Sequence, residues 1–306
     1  MGLKKTRKGV SLRPVTVEVI WPGRLDLPMC LESFRRWGDD GIDYWDGDIW
    51  VRTVRLGEQV IPFACKVTGT IQEPKAEVTV MDSTHTAAVK QAVQDMIITV
   101  SEPFSKLLAS DPVIADLEAQ FEGIRPVLQG DLFTNLIRSI SAQQVNLRWA
   151  ATTRRRLAEA YGDMHSIAGH AVYSLNPQRL AEADPANLRK LQFTTRKAEY
   201  IINLARCVVQ GTVDLEHLRK QSDEEVIGQL TQLRGIGRWT AEWFLARGLG
   251  RPCVVGGDLG VRKAVGGVYL QGEMPSEAEV RRLTQHWGAA ASVAQQLVLH
   301  TLNQRV

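Results

Sequence analysis

The sequence predicts an α+β protein: a small antiparallel-sheet α/β domain, residues 1–102, followed by an all-helical domain, residues 103–306. Three observations carry this. At 306 residues the chain is long for one domain and suits two. Apolar–polar alternation with period two is confined to the first hundred residues. From about Ser101 onward, helix-start signals recur one after another.

In the first domain, Val15, Val17 and Val19 alternate with Thr16 and Glu18, which predicts a half-buried strand ending at Trp21-Pro22-Gly23. Leu27, Leu31 and Phe34 have helical spacing. Ile42 to Trp45, Asp46-Gly47 and Ile49 to Val54 read as a hairpin, because Asp-Gly supplies the positive φ of a tight turn. Ala76 to Met81 is a further strand, and Ser83 to Ile97 a helix through Val89, Val93 and Ile97. In the second domain, Asp111-Pro112, Asn176-Pro177 and Asp184-Pro185 each place a capping side chain before a proline at the first helical position. Ser222-x-x-Glu225 and Ser276-x-x-Glu279 have the form of capping boxes. Gly162 and Gly211 stand where left-handed helix C-caps belong.

Composition sets bounds. Apolar residues at 44% and charged residues at 23% are the mix of a globular protein with a sizeable core. The formal charge of +3 is compatible with nucleic acid without requiring it. Cys30, Cys65, Cys207 and Cys253 stand singly, with no paired spacing, which argues against a zinc or iron–sulfur centre and for idle thiols in a reducing compartment. No apolar run reaches the roughly 18 residues of a membrane span. Met1 through Val10 is basic with no apolar stretch behind it, so it reads as a solvated tail rather than a secretory signal. Its start, Met1 to Thr6, also fits the short N-myristoylation pattern.

The chemistry gathers between Leu230 and Gly267. A helix from the Ser222 box runs to Leu233-Arg234, breaks at Gly235-Ile236-Gly237, and resumes as Arg238 to Leu245. Two glycines around one apolar residue make a tight hairpin whose backbone can approach a partner closely, with Ile236 pinned to the core. The second helix then opens with free N–H groups, a natural phosphate cradle. About twenty residues on, Gly256-Gly257-Asp258-Leu259 follows an apolar stretch. Asp258 can cap the helix after it.

Leu233-x-Gly235-Ile236-Gly237-x-x-Thr240-Ala241, followed by a glycine-rich loop and Asp258, resembles the helix-hairpin-helix DNA glycosylase superfamily. Gly237 to Ala241 and the strand-rich N-terminal region resemble its 3-methyladenine DNA glycosylase II branch. Ser141 to Val145 and Arg196-Lys197-Ala198-x-Tyr200 extend the likeness over essentially the whole chain.

The resemblance implies a monofunctional glycosylase that removes alkylated purines from double-stranded DNA. It makes Asp258 the catalytic carboxylate, balancing positive charge on the sugar and activating water. Relatives that also nick DNA place a Schiff-base lysine where this chain has Trp239. Trp239 and Trp243, four apart, become walls of the base pocket, suited to a cationic base through cation–π contact. Such a base is already a good leaving group, so no general acid is required. Gln143 and Gln144 fall in the loop that fills the gap left by the flipped base, with Gln144 the inserted residue. Gly235, Gly237 and Thr240 map to the DNA-binding hairpin. The carbonyls of Thr231, Leu233 and Ile236 map to a structural alkali or alkaline-earth cation. No catalytic cofactor is implied. The expected partner is duplex DNA containing damaged bases, and the expected form a monomer in cytoplasm or nucleus. Where close relatives carry an aromatic and an arginine after Trp287, this chain has Ala290 and Ala291, which predicts a roomier pocket. Two rival readings are a non-enzymatic duplex-binding module and a bifunctional glycosylase-lyase for oxidised bases. Asp258 argues against the first and Trp239 against the second.

Overall fold

The computed structural model describes residues 13–36 and 38–304, so the basic tail at Met1 through Val10 lies outside the described residues. The chain is α+β. Strand β1 (Val15–Ile20) turns its three valines inward, and helix α1 (Leu27–Arg36) follows. Strands β2 (Tyr44–Trp45), β3 (Ile49–Leu56), β4 (Gln59–Val67) and β5 (Lys75–Val80) complete a sheet of order β1-β5-β4-β3-β2, antiparallel throughout. At the expected Asp46-Gly47 turn, Gly47 has φ 110° and the Asp46 carboxylate accepts the N–H groups of Asp48 and Ile49, both at 2.9 Å. Ile42 is not part of that hairpin; it is buried in the core of the helical region. A 3₁₀ turn, Ser83–His85, precedes α2 (Thr86–Asp95), so the expected single helix to Ile97 is shorter at both ends. Trp50, Phe63, Val78, Val89 and Val93 are fully buried beneath the sheet, and Val127 returns from later in the chain to join them.

Helices α3 (Ser101–Ser110), α4 (Pro112–Gln120), α5 (Leu132–Ala142) and α6 (Leu147–Tyr161) come next. A two-stranded hairpin then interrupts what the sequence presented as continuous helix: β6 (Gly162–Ile167) and β7 (His170–Leu175). Gly162 is therefore not a left-handed cap. Its φ is −92° and it opens β6, with its Cα so close to the backbone of Ala158 and Ser174 that a Cβ would collide. This hairpin covers the outer face of the main sheet through Val51, Ala64, Ile167 and Val172. Six further helices follow: α7 (Pro177–Ala181), α8 (Pro185–Lys190), α9 (Thr195–Val209), α10 (Asp223–Leu230), α11 (Arg238–Trp243) and α12 (Leu259–Tyr269). Helices α13 (Glu277–Thr284) and α14 (Ala291–His300) complete the described fold. The capping reading holds: Asp111, Asn176 and Asp184 each accept an N–H from the first turn they precede. Ser222 and Glu225 form the full reciprocal box, Ser276 accepts the N–H of Glu279 but only this half of the expected second box forms, and Gly211 sits at φ 69° after α9.

Two apolar cores divide the helices. One is built on α5 and α9 with Phe244 and Leu245; the other on α3, α4, α12 and α14. Where the sheet meets α5 and α6, the junction is ionic. Asp40 and Asp43, 3% and 2% exposed, face Arg52, Arg138 and Arg154. Asp40 lies 3.0 Å from Arg138 and from Arg154, and Asp43 lies 2.6 Å from Arg52. Burial would raise the Asp40 carboxyl, but the two guanidiniums beside it hold it below the usual range.

Candidate active site

Asp258 is the N-cap of α12. Its Oδ1 accepts the N–H of Val261 at 2.9 Å. Its Oδ2 accepts the indole N–H of Trp239 at 2.8 Å and that of Trp243 at 3.3 Å. The loop that delivers it is pinned from behind, where the buried N–H of Val255 donates to Gln295 Oε1 at 2.8 Å. A Cβ at Gly260 would stand 3.0 Å from Asp258 Oδ1, so the glycine leaves room for the carboxylate. Both oxygens are thus held by donors on rigid elements.

The carboxylate opens on a cleft of about 520 Å³ lined by Trp239, Trp243, Arg138, Asn135, Arg247 and Leu299, among others. Trp239 and Trp243 share the wall that the sequence assigned them. The indoles also orient the acid, a role sequence spacing did not suggest. One face of Trp243 is already covered, with the Arg247 guanidinium 5.7 Å from its ring. Ala290 and Ala291 do not enlarge this pocket. They are 0% and 4% exposed and pack in the core with α12 and α14, while Gln296, Leu299 and Leu302 line the cleft from the C-terminal helices.

The hairpin lies at the start of α11. The helix before it ends at Leu230, earlier than the apolar pattern suggested. Ile236 is 4% exposed and anchored in the core. Gly235 has φ 89°, and a Cβ there would come within 2.1 Å of the Tyr200 ring. Gly237 differs: its φ is −98° and nothing lies within 4 Å of its Cβ position. It is the N-cap, with no side-chain cap bond, so no side chain at that position satisfies the first-turn N–H groups. Thr240 is 1% exposed, which removes its side chain from any phosphate. Thr231 is the C-cap of α10, and the carbonyl of Leu233 accepts the Ile236 N–H at 3.0 Å, leaving one lone pair.

Gln143 and Gln144 part company. Gln143 donates to the carbonyl of Gly235 at 2.9 Å, tying the α5–α6 loop to the hairpin. Gln144 is exposed at φ 54°, a left-handed conformation that thrusts its side chain from the loop tip. Beneath them, Arg154 donates to Ser141 Oγ at 2.9 Å and Lys197 to the Ser141 carbonyl at 2.8 Å. Sequence reasoning passed over Arg247, Asn135 and Arg138. Only Arg247 left a signal, four residues beyond Trp243 on the same helix face.

A tight glycine hairpin seated against a carboxylate-bearing cleft between two helical cores defines a helix-hairpin-helix protein. Residues 137–290 match the HhH-GPD superfamily of base excision DNA repair proteins, and the chain belongs to that family. It is 34% identical over 182 residues to a putative DNA-3-methyladenine glycosylase of Bacillus subtilis, covering 58% of this chain and 62% of that one. It is 30% identical over 158 residues to DNA-3-methyladenine glycosylase 2 of Escherichia coli, covering 51% and 53%. The chain thus matches less than two thirds of the length of these relatives. The fold is shared with a 3-methyladenine DNA glycosylase of Archaeoglobus fulgidus, with TM-score 0.82 and 23% identity over 94% of this chain and 98% of that one. It is shared also with an 8-oxoguanine glycosylase/lyase of Clostridium acetobutylicum, with TM-score 0.72 and 18% identity over 90% and 92%. Among the described residues, no helix is long and apolar enough to cross a membrane.

Proposed function

We propose that this chain is a monofunctional DNA glycosylase that flips an alkylated purine out of double-stranded DNA and hydrolyses its bond to deoxyribose. The observation that carries the reading is Asp258, fixed by two indoles and a helix N-terminus at the mouth of a base-sized cleft. As the C1′–N bond breaks, its electron pair leaves with the purine and positive charge develops on the sugar. The fixed carboxylate balances that charge without reorganising. Water then adds its oxygen to C1′, and its proton passes to Asp258. The Gly237 amide region grips phosphate, and Gln144 fills the vacated stack. An alkali or alkaline-earth cation on the carbonyls of Thr231, Leu233 and Ile236 would supply extra positive charge toward phosphate. The protein acts on this reading as a monomer.

Trp239 occupies the place of a lyase lysine, and Lys197 is committed to a backbone carbonyl, which supports hydrolysis without strand cleavage. The test is single-turnover excision from duplexes carrying an alkylated, an oxidised or a deaminated base. Release of the alkylated purine leaving an intact abasic strand supports the proposal. Duplex binding with no base released would establish a binding module instead, and strand nicking at an oxidised base would establish a lyase.

A further inference from the structure

Trp239, Trp243 and Arg247 succeed one another at intervals of four and form a stripe along one wall of the cleft. A single π turn, Phe244–Gly248, carries the last of them. The two ends of the stripe differ in charge. At one end the indoles meet Asp258. At the other stands a guanidinium with no carboxylate partner among the described residues. Its Nη2 donates to Gln296 Oε1, and its Cζ lies over the Trp243 ring. Burial pulls Arg247 down to about 10, so it stays protonated at neutral pH. Secluded cations are ordinarily paired; this one faces a cavity. Neutral polar groups line the same cleft. The Gln129 N–H donates to the Arg247 carbonyl at 2.8 Å. Asn135 is 1% exposed and donates to Gln129 Oε1 at 3.0 Å, leaving its own Oδ1 without a partner among the described residues.

We propose that Arg247 is a catalytic residue for electrically neutral bases, donating to an acceptor on the distal edge of the flipped base and stabilising the negative charge it carries as it leaves. Asp258, both indoles and Arg247 line the same cleft, and the guanidinium carbon stands 5.7 Å from the centre of the Trp243 ring. On this proposal a base whose sugar carbon sits at Asp258 and whose ring lies along the indoles directs its far edge toward Arg247. When a neutral purine departs, the C1′–N9 pair makes it an anion. Water oxygen bonds to C1′, and the proton that water releases through Asp258 ends on the purine nitrogen. A cationic N-alkylpurine takes the same pair and becomes neutral. No anion forms, and Arg247 has nothing to stabilise; it opposes the entry of the cation instead. The contribution of Arg247 is thus confined to one charge class of lesion. This inference rests on the glycosylase reading above.

The test is single-turnover excision of hypoxanthine, a neutral 6-oxopurine, and of 7-methylguanine, a cation, by the wild type, Arg247→Met and Arg247→Lys. Binding to a duplex with a non-cleavable abasic analogue reports folding. In Arg247→Met, hypoxanthine release should fall by about a hundredfold, the usual loss of one charge-stabilising donor, with 7-methylguanine release unchanged or faster. Arg247→Lys should recover part of the loss. Gln296→Leu, which untethers the guanidinium without removing it, gives a second variant with a smaller loss of the same selectivity should Arg247→Met not fold. Equal loss on both lesions, or none on either, overturns the proposal. A wild type that releases 7-methylguanine but never hypoxanthine overturns it and leaves the glycosylase reading standing. A wild type that releases neither overturns both.

Discussion

Trp239 and Asp258, 19 residues apart in sequence, meet in a 2.8 Å hydrogen bond from the indole N–H to Oδ2. Together with the Val261 N–H on Oδ1, it assigns each carboxylate oxygen a separate partner. The acid therefore cannot rotate without breaking a cap or an indole bond.

That division of labour makes Asp258→Asn more revealing than an isosteric swap usually is. An amide has only one acceptor. If its oxygen keeps the Val261 N–H, its NH₂ confronts two indole donors; if it turns to the indoles, the cap of α12 is lost. We expect base excision to drop by about two to three orders of magnitude and stability to fall by about 1 kcal/mol, the worth of a cap. Affinity for damaged duplex should persist. Single-turnover excision, thermal melting and duplex binding on one preparation check this, and wild-type excision by the variant would sink the mechanism.

The two hairpin glycines should respond differently. Alanine at Gly237 meets open space in an allowed conformation, so its methyl displaces only what approaches from outside. Gly237→Ala should melt like the wild type and bind damaged and undamaged duplex more weakly by a similar factor, since phosphate contacts carry no base information. Affinity should decline with rising salt in both proteins. Gly235→Ala meets Tyr200 at 2.1 Å and should instead lose thermal stability. Equal melting losses in the two variants would refute the distinction.

Borohydride added during turnover should trap no covalent protein–DNA adduct, because Trp239 offers no amine. A trapped adduct would point to another nucleophile and overturn the monofunctional assignment.

Asp111 predicts a pH dependence of stability. It is buried, caps α4, and accepts hydrogen bonds from Tyr269 and from His286 at 2.8 Å. Burial would raise its carboxyl, yet those bonds hold it below the ordinary range. A depressed folded value stabilises the protein above the unfolded value of about 3.9, and the gain is lost as pH falls below that toward the folded value. Asp111→Asn should therefore melt lower by about 2 kcal/mol at pH 7, with the gap to wild type closing under acid. A constant gap from pH 7 to pH 3 would show that the charge contributes nothing.

The hairpin and its aspartate were legible because their signals are local: glycines, a capping acid and helical spacing within some thirty residues. Strand β4 was hidden by Pro62, which argues against a strand, though it sits opposite Thr53 in the sheet. The β6–β7 hairpin was hidden by its turn. Ala168 and Gly169, at φ 50° and 80°, make the tight bend without the Asn-Gly or Asp-Gly pair that usually marks one. The separate duties of Gln143 and Gln144 depend on where Gly235 lies, 92 residues from Gln143. Ala290 and Ala291 looked like missing pocket walls because alignment by spacing ignores which way a helix is rotated.

The ionic junction beneath the sheet turns the two halves of the molecule into a matched pair. Arg138 and Arg154 stand on helices that also shape the cleft, yet the carboxylates that neutralise them, Asp40 and Asp43, come from the other half of the chain. A chimera joining these helices to a foreign sheet would strand two guanidiniums away from water, at a cost of several kcal/mol each. Recombination that shuffles the helical module must therefore carry the short Asp40–Asp43 segment with it, or replace both arginines in the same step.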